Sequence, residues 1–303
     1  MILYKYVSED GLKRFLKTLM LRFTPPSAFN DPFEVRPAIG APEEVDDFTE
    51  TNDLDFPLTL RYNLKAGIGW NVGILCLTED PCQALMWAHY ADCHQGAVIG
   101  FDARHKFFSS FRSPGKYLQI LAPVRYSLTR SFLSIDFFRK NHFADLFRTG
   151  WLQLIKHRDP MFFTKAPAWE HEKEWRLVRQ LVKPPTTMEE CNDRLAFLRQ
   201  PRAVRPEQLS SLPPETIRSI TLGAFSRRQG SGDSDGLEEE TIKLLESDSR
   251  LSHVELWKTR LHPREFSVIR YNLDSLAELE RNVHPQEVTM RKKGFAGRPP
   301  TKP

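Results

Sequence analysis

The sequence predicts a mixed α+β protein organised as a single domain. Three observations carry this. Short apolar runs of strand character are scattered through the whole length, amphipathic helical segments lie between them, and no internal repeat is present. The chain of 303 residues is long enough to bury a real core. Its 40% hydrophobic and 27% charged content is ordinary for a globular protein and argues against general disorder. The predicted domain spans 1–275, with insertions near 37–60 and 183–216. A basic tail rich in Pro and Gly follows at 276–303.

Ile2 to Tyr6 is a short apolar and aromatic run that suits a strand. Ser8 reads as a helix N-cap, and Leu12, Phe15, Leu16 and Leu19 recur at helical spacing over 9–19. Leu21 to Thr24 returns to strand character until Pro25 and Pro26 stop it. Residues 37–57 are acidic and read as an exposed excursion. Val72 to Leu77 is a strand, Pro81 to Tyr90 a short helix, and Ala97 to Phe101 a buried strand. Residues 104–116 are polar, and Val124 to Tyr126 suits a short strand.

Residues 131–157 carry a helical pattern rich in Phe and Leu. Glu174 to Leu181 is a strand, and 183–216 is irregular or partly helical. A strand at Ile217 to Leu222 ends at Gly223. A Gly/Ser-rich loop at 226–236 leads to a helix at Leu237 to Glu246. Strands at Val254 to Lys258 and Phe266 to Tyr271 close the domain around a turn at His262 and Pro263.

The formal charge of +4 permits nucleic-acid binding without arguing for it. Arg291, Lys292, Lys293, Arg298 and Lys302 concentrate charge in the tail. That tail reads either as a solvated terminus or as an electrostatic arm for nucleic acid. Cys76, Cys82, Cys93 and Cys191 form no CxxC pair and no compact metal signature, which suits reduced thiols. The opening residues lack the pattern of a signal peptide, and there is no apolar run long enough to span a bilayer. A cytoplasmic protein without membrane association is expected by elimination.

Three constellations carry candidate chemistry. The first is Phe29-Asn30-Asp31-Pro32-Phe33-Glu34. Pro32 holds Asp31 extended and favours a tight turn, which Phe29 and Phe33 would anchor in the core. Asn30, Asp31 and Glu34 then become available for fixed hydrogen bonds. The bland alternative is an Asx-type turn with no ligand.

The second is Met86-Trp87-Ala88-His89-Tyr90. Its aromatic surface with polar tips suits a flat ligand such as nicotinamide or adenine, or else simple core packing. His89 and His94 are weak metal evidence, because no carboxylate or thiol stands at ligand spacing; no metal site is expected. The third runs from Lys165 to Arg176. A strand over 172–178 would place Glu172, Glu174 and Arg176 on one face, with Trp175 and Leu177 on the other. The choice is between a surface ladder of ion pairs and a catalytic carboxylate oriented by Arg176, with Lys165 near an anionic group.

Several stretches together resemble a known family. LYKY at 3–6, LRFTPPSAFNDPFE at 21–34, ILCLTEDPCQALMWAHYADCHQGAVIGFD at 74–102, FFTKAPAWEHEKEWRLV at 162–178 and IRSITLGAF at 217–225 are similar to the bacterial domain-of-unknown-function 2971 family, in motif order. Leu77 and Thr78 depart from it, standing where Phe and Ser are common.

The order of motifs is also distantly similar to the ADP-ribosyltransferase fold. That resemblance implies a central, mostly antiparallel, split sheet flanked by helices, with NAD as co-substrate. It places Lys5 or Tyr6 as the NAD-gripping residue of the first strand. Thr78 with Trp87 or Tyr90 would line the nicotinamide, and Glu174 or Glu172 would be the catalytic carboxylate. The His or Arg usual in the first motif is absent at Lys5-Tyr6. Asn30, Asp31, Lys165 and Arg176 complete the expected binding set. The function this implies is NAD-dependent ADP-ribosyl transfer, in bacterial defence or toxin systems, to a protein, nucleic-acid or small-molecule acceptor. The alternatives are a non-enzymatic ligand-recognition module and a metal-dependent nuclease using Asp31, Glu34, Glu172 and Glu174.

Overall fold

The computed structural model of the protein describes residues 1–35, 38–39, 72–110, 119–130, 132–133, 159–181, 204, 206–226 and 236–273. The acidic excursion, the expected helix at 131–157, most of the 183–216 insert, the Gly/Ser-rich loop, Cys191 and the basic tail lie outside the described residues, apart from the short pieces of these segments included above.

The elements in chain order are β1 (Ile2–Val7), α1 (Glu9–Thr18), β2 (Met20–Arg22), β3 (Ala38–Ile39), β4 (Val72–Thr78), α2 (Ala84–Tyr90) and β5 (Ala97–Asp102). Next come β6 (Gln119–Pro123), β7 (Arg125–Tyr126), β8 (Phe132–Leu133), α3 (Asp159–Phe162), β9 (Thr164–Lys165) and β10 (Glu174–Gln180). The chain then forms β11 (Leu209–Ser211), β12 (Ile217–Leu222), α4 (Leu237–Ser247), β13 (Glu255–Leu261) and β14 (Val268–Asn272). Short 3-10 turns link several of them, including one at Pro167–Glu172.

Helix α1 starts where the sequence places it. The Ser8 hydroxyl accepts from the Gly11 amide at 3.0 Å, satisfying one of the free N–H groups of the first turn. Leu12, Phe15 and Leu16 are its buried face. Helix α2 begins at Ala84, three residues later than the expected Pro81. Gln83 caps it, its Oε1 accepting from the Leu85 amide at 3.3 Å.

Eight strands form the main sheet in the order β14-β13-β12-β5-β1-β4-β10-β6. Every neighbouring pair is antiparallel except β12 and β13, which α4 joins as a crossover. The fold is therefore α+β with one large, mostly antiparallel open sheet. Strand β6 was not foreseen; it pairs with β10 over five residues from Trp175↔Pro123 to Arg179↔Gln119. Among the described residues, no helix is long and apolar enough to cross a membrane.

The sheet narrows at its middle. Strand β1 pairs with β5 along six residues, but with β4 through the single partnership Tyr4↔Thr78. Next in line, Thr78 partners Glu174 on β10. Partnered residues project to the same face, so Tyr4, Thr78 and Glu174 stand in a row across three strands.

Alternation sorts the two faces. Leu3, Leu75, Leu77, Ile99, Phe101, Leu177 and Ile220 belong to the main core, together with α1 residues and Leu237 of α4. Trp175 packs against that same core, as strand periodicity requires. Tyr6, Met86, Trp87, Val98 and Val268 form a second, smaller cluster. Gly223 permits a close approach beside it: a Cβ there would lie 2.0 Å from the His94 carbonyl oxygen. The facing loop is strained, since Asp92, Cys93 and His94 all have left-handed φ values of 46°, 52° and 67°.

Candidate functional site

A buried network of five charged side chains gathers at the row that ends on Glu174. Glu34, Lys165, Glu172, Glu174 and Arg176 are each at most 6% exposed. Strand β10 supplies Glu174 and Arg176 on one face, as the alternation predicts. Glu172 reaches the site differently from the expectation. It ends the 3-10 turn, and Lys173 turns the chain through a left-handed conformation (φ 43°) before the strand begins. Lys165 comes from β9, and Glu34 from the turn after Pro32.

Lys165 Nζ stands 2.6 Å from Glu172, 3.2 Å from Glu174 and 3.4 Å from Glu34. It also lies 4.7 Å above the Trp169 ring centre, a cation–π contact. Arg176 grips Glu174 through Nε at 2.8 Å and Nη2 at 3.0 Å. Its Nη1 donates to the Phe162 carbonyl at 2.7 Å, and Nη2 also pairs with Glu34. Three carboxylates against two cations leave one negative charge over.

Burial alone would push the Glu174 carboxyl up; the Arg176 guanidinium overrides it and holds the group down at about 2. Burial likewise opposes the charge on Lys165, but Glu174, Glu34 and Glu172 raise its pKa above the ordinary lysine value. Glu34 goes the other way. Its burial outweighs Arg176 and Lys165 and raises its pKa, so the excess negative charge is least favourable there.

The network opens outward through Tyr90 of α2. Its hydroxyl donates to Glu172 Oε1 at 2.8 Å and accepts from Asn30 Nδ2 at 3.4 Å. Asn30 is exposed, so this chain runs from solvent to a buried carboxylate. On another side, a cavity of about 230 Å³ is lined by Asp31, Phe33, Glu34, Lys165 and residues 127–130.

The structure thus brings Asn30, Tyr90, Glu172, Lys165, Glu174 and Arg176 into one connected system, with Thr78 beside it. Asp31 borders the cavity, and its Oδ1 accepts from the Phe33 amide at 2.8 Å, forming the expected Asx turn. Phe33 does not anchor that turn in the core; it is 60% exposed. Phe29 instead meets Arg176, whose guanidinium carbon lies 5.6 Å from its ring centre.

Three sequence-predicted residues stand apart. Trp87 is fully buried, packs edge-on against Tyr6 and donates its indole N–H to the Pro81 carbonyl at 2.9 Å. Its ring is core and offers no face to a ligand, so Tyr90 is the aromatic residue left at the site. The Tyr6 hydroxyl is also occupied, donating to the Asp80 carbonyl and accepting from the Gln83 amide. Lys5 is half-buried, with Nζ 3.5 Å from the Cys76 carbonyl oxygen, and burial lowers its pKa.

Sequence reasoning missed Tyr126, whose hydroxyl accepts from the Glu174 amide at 2.9 Å. No local pattern marks Tyr126; the pairing of β7 with β9, where Tyr126 partners Lys165, brings it there together with the β6–β10 ladder. Among the described residues, no group of three or more His, Cys, Asp or Glu side chains has the geometry to hold a metal ion. The acidic groups have Lys165 and Arg176 as partners instead.

The fold and site define an α+β protein with a buried acid–base network beside a narrow point in its sheet. Residues 86–177 match the model of a family described as protein of unknown function, DUF2971. The match includes both the Met86–Tyr90 and the Glu172–Arg176 stretches. No curated protein and no solved structure matches the chain.

Proposed function

We propose that the chain binds NAD and transfers its ADP-ribose to an acceptor. The observation that carries this reading is the row Tyr4, Thr78 and Glu174 across three neighbouring strands, beside Glu172. A polar first-strand residue, a hydroxyl on the second strand and a late acidic strand are what the resemblance to ADP-ribosyltransferases implies around a nicotinamide ribose, with Tyr4 here in place of the expected Lys5 or Tyr6. The single partnership joining β1 to β4 supports the split-sheet form of that fold. Fold-level likeness alone is only associative, so the weight rests on the side chains.

In the reaction the bond between nicotinamide and ribose C1′ breaks, and its electron pair leaves with nicotinamide. Positive charge develops on the sugar, and a fixed carboxylate stabilises it. An acceptor nucleophile then attacks C1′ and loses its proton. The bonding supports a division of labour. Glu174 is held by Arg176 on both oxygens and orients the site, whereas Glu172 is linked outward through Tyr90 to exposed Asn30. Glu172 is the carboxylate assigned to the sugar. Thr78 and Tyr90 border the nicotinamide position, and the acceptor is a protein, a nucleic acid or a small molecule.

A second reading is a recognition module that binds a ligand without turnover. It is favoured by the charge pairing of all three carboxylates, which suits a fixed structural network. Nicotinamide release from NAD separates the two. Release by the wild-type chain that is lost in Glu172→Gln supports transfer; NAD binding with no release by either chain supports recognition.

A further inference from the structure

The geometry points to a second ligand site, for a small phosphate monoester, at the end of β5. Its centre is Asp102, the last residue of that strand and only 6% exposed. Arg104 donates to both Asp102 oxygens, from Nε at 2.9 Å and Nη2 at 2.9 Å. The Arg104 amide donates to Oδ1 at 3.1 Å. Arg218, at the start of β12, adds Nη2 at 3.0 Å from Oδ2. One buried carboxylate therefore fixes two guanidinium groups from separate elements.

Arg104 holds the Asp102 carboxyl well below the usual carboxylate range, so the anchor stays ionised. The side chains of Arg104 and Arg218 are 71% and 48% exposed, and Asp102 engages only part of each five-donor fork. Both forks meet on the Asp102 carboxylate, and the donors that each leaves free face outward, where they suit the terminal oxygens of a tetrahedral oxyanion.

The forks face an open, shallow depression lined also by His105, Glu215 and His253. Its exposed rim leaves room for the organic part of a monoester beside the phosphate. Both histidines are oriented. His105 Nδ1 accepts from the Phe107 amide at 3.1 Å, and His253 Nε2 lies 3.0 Å from the Ile217 carbonyl oxygen. Glu215 is the opposing charge. It is 65% exposed and only 3.6 Å from His105 Nε2, so it guards the rim without neutralising the arginines directly. The pocket shares no residue with the five-charge network, and ADP-ribosyl transfer gives it no role.

Isothermal titration of the full chain with inorganic phosphate, glycerol 3-phosphate and O-phosphoserine tests the proposal. Saturable binding of a monoester, tighter than that of inorganic phosphate, is expected. The double variant Arg104→Ala/Arg218→Ala weakens it by at least about tenfold. Glu215→Gln, a change at an exposed rim position, tightens it and decides the matter if the double variant does not fold. Glu172→Gln leaves it unchanged, which keeps this test separate from that of NAD turnover. Absence of saturable binding, equal affinity in the folded double variant, no tightening in Glu215→Gln, or loss of binding in Glu172→Gln overturns the assignment.

Discussion

Tyr90 donates its hydroxyl to Glu172 over 2.8 Å, joining helix α2 to the turn that precedes β10. The two residues are 82 positions apart in sequence, and neither motif alone identifies the other as a partner. Their contact turns two separate patterns into one site. It also singles out Glu172 as the network carboxylate that a tyrosine hydroxyl links to an exposed residue.

Glu172→Gln keeps an acceptor for Tyr90 but removes the negative charge. Nicotinamide release is expected to fall by about 10²-fold or more, the scale on which fixed electrostatic groups act. Tyr90→Phe should lower it less, by about tenfold, because it only frees the carboxylate to move. Circular dichroism on both variants checks that the fold persists. Undiminished release in Glu172→Gln would remove that carboxylate from the mechanism.

The two acidic neighbours of Arg176 respond to pH with opposite signs. Glu174 is depressed from 4.5 to about 2 by Arg176 against the effect of burial. Its contribution, about 3 kcal/mol, is present above pH 4.5 and lost as pH falls toward 2. Glu34 is raised, so its contribution is full below the usual carboxylate range and is lost as pH rises through its elevated pKa. Denaturant melts from pH 2 to 8 should show Glu174→Gln costly at neutral pH and nearly harmless near pH 2. Glu34→Gln should match the wild type in acid and exceed it at neutral pH. Parallel curves for the two variants would contradict the assignment.

Gly223→Ala places a methyl group 2.0 Å from the His94 carbonyl oxygen, against backbone held by the Phe225 amide at 3.0 Å. The clash is with main chain and cannot be relieved by a rotamer. A loss of about 2–4 kcal/mol in chemical denaturation is expected. A drop under 0.5 kcal/mol, the scale of a neutral surface change, would show that the loop gives way.

Trp87→Phe leaves a void beside Tyr6 and an unpaired carbonyl at Pro81. Stability should fall by about 1–3 kcal/mol while the KM for NAD stays within about twofold. A large rise in KM at unchanged stability would return Trp87 to the binding site.

Much of this architecture is legible in the sequence because local rules govern it. The Ser8 cap, the helical spacing of Leu12, Phe15 and Leu16, and the alternation of Glu174 and Arg176 against Trp175 and Leu177 depend on a few adjacent residues. Long-range pairing governs the rest. The pull of Lys165 on three carboxylates, the Tyr126 hydroxyl on the Glu174 amide and strand β6 all follow from which strands become neighbours. Trp87 and Tyr90 carry the same kind of aromatic signal, yet one is sealed in the core and the other touches a carboxylate. They stand three positions apart on the helix, and only the packing of α2 decides which side faces inward.

The lone partnership of Tyr4 with Thr78 makes the middle of the sheet a seam. Strand β1 is zipped to β5, and β4 to β10, so each half carries its own ladder. Across the line between them one rung of strand pairing remains, and the shared apolar core, with Leu3 and Ile99 on one side and Leu75, Leu77 and Leu177 on the other, does the joining. The row ending at Glu174 crosses that line, with Tyr4 on one side and Thr78 and Glu174 on the other.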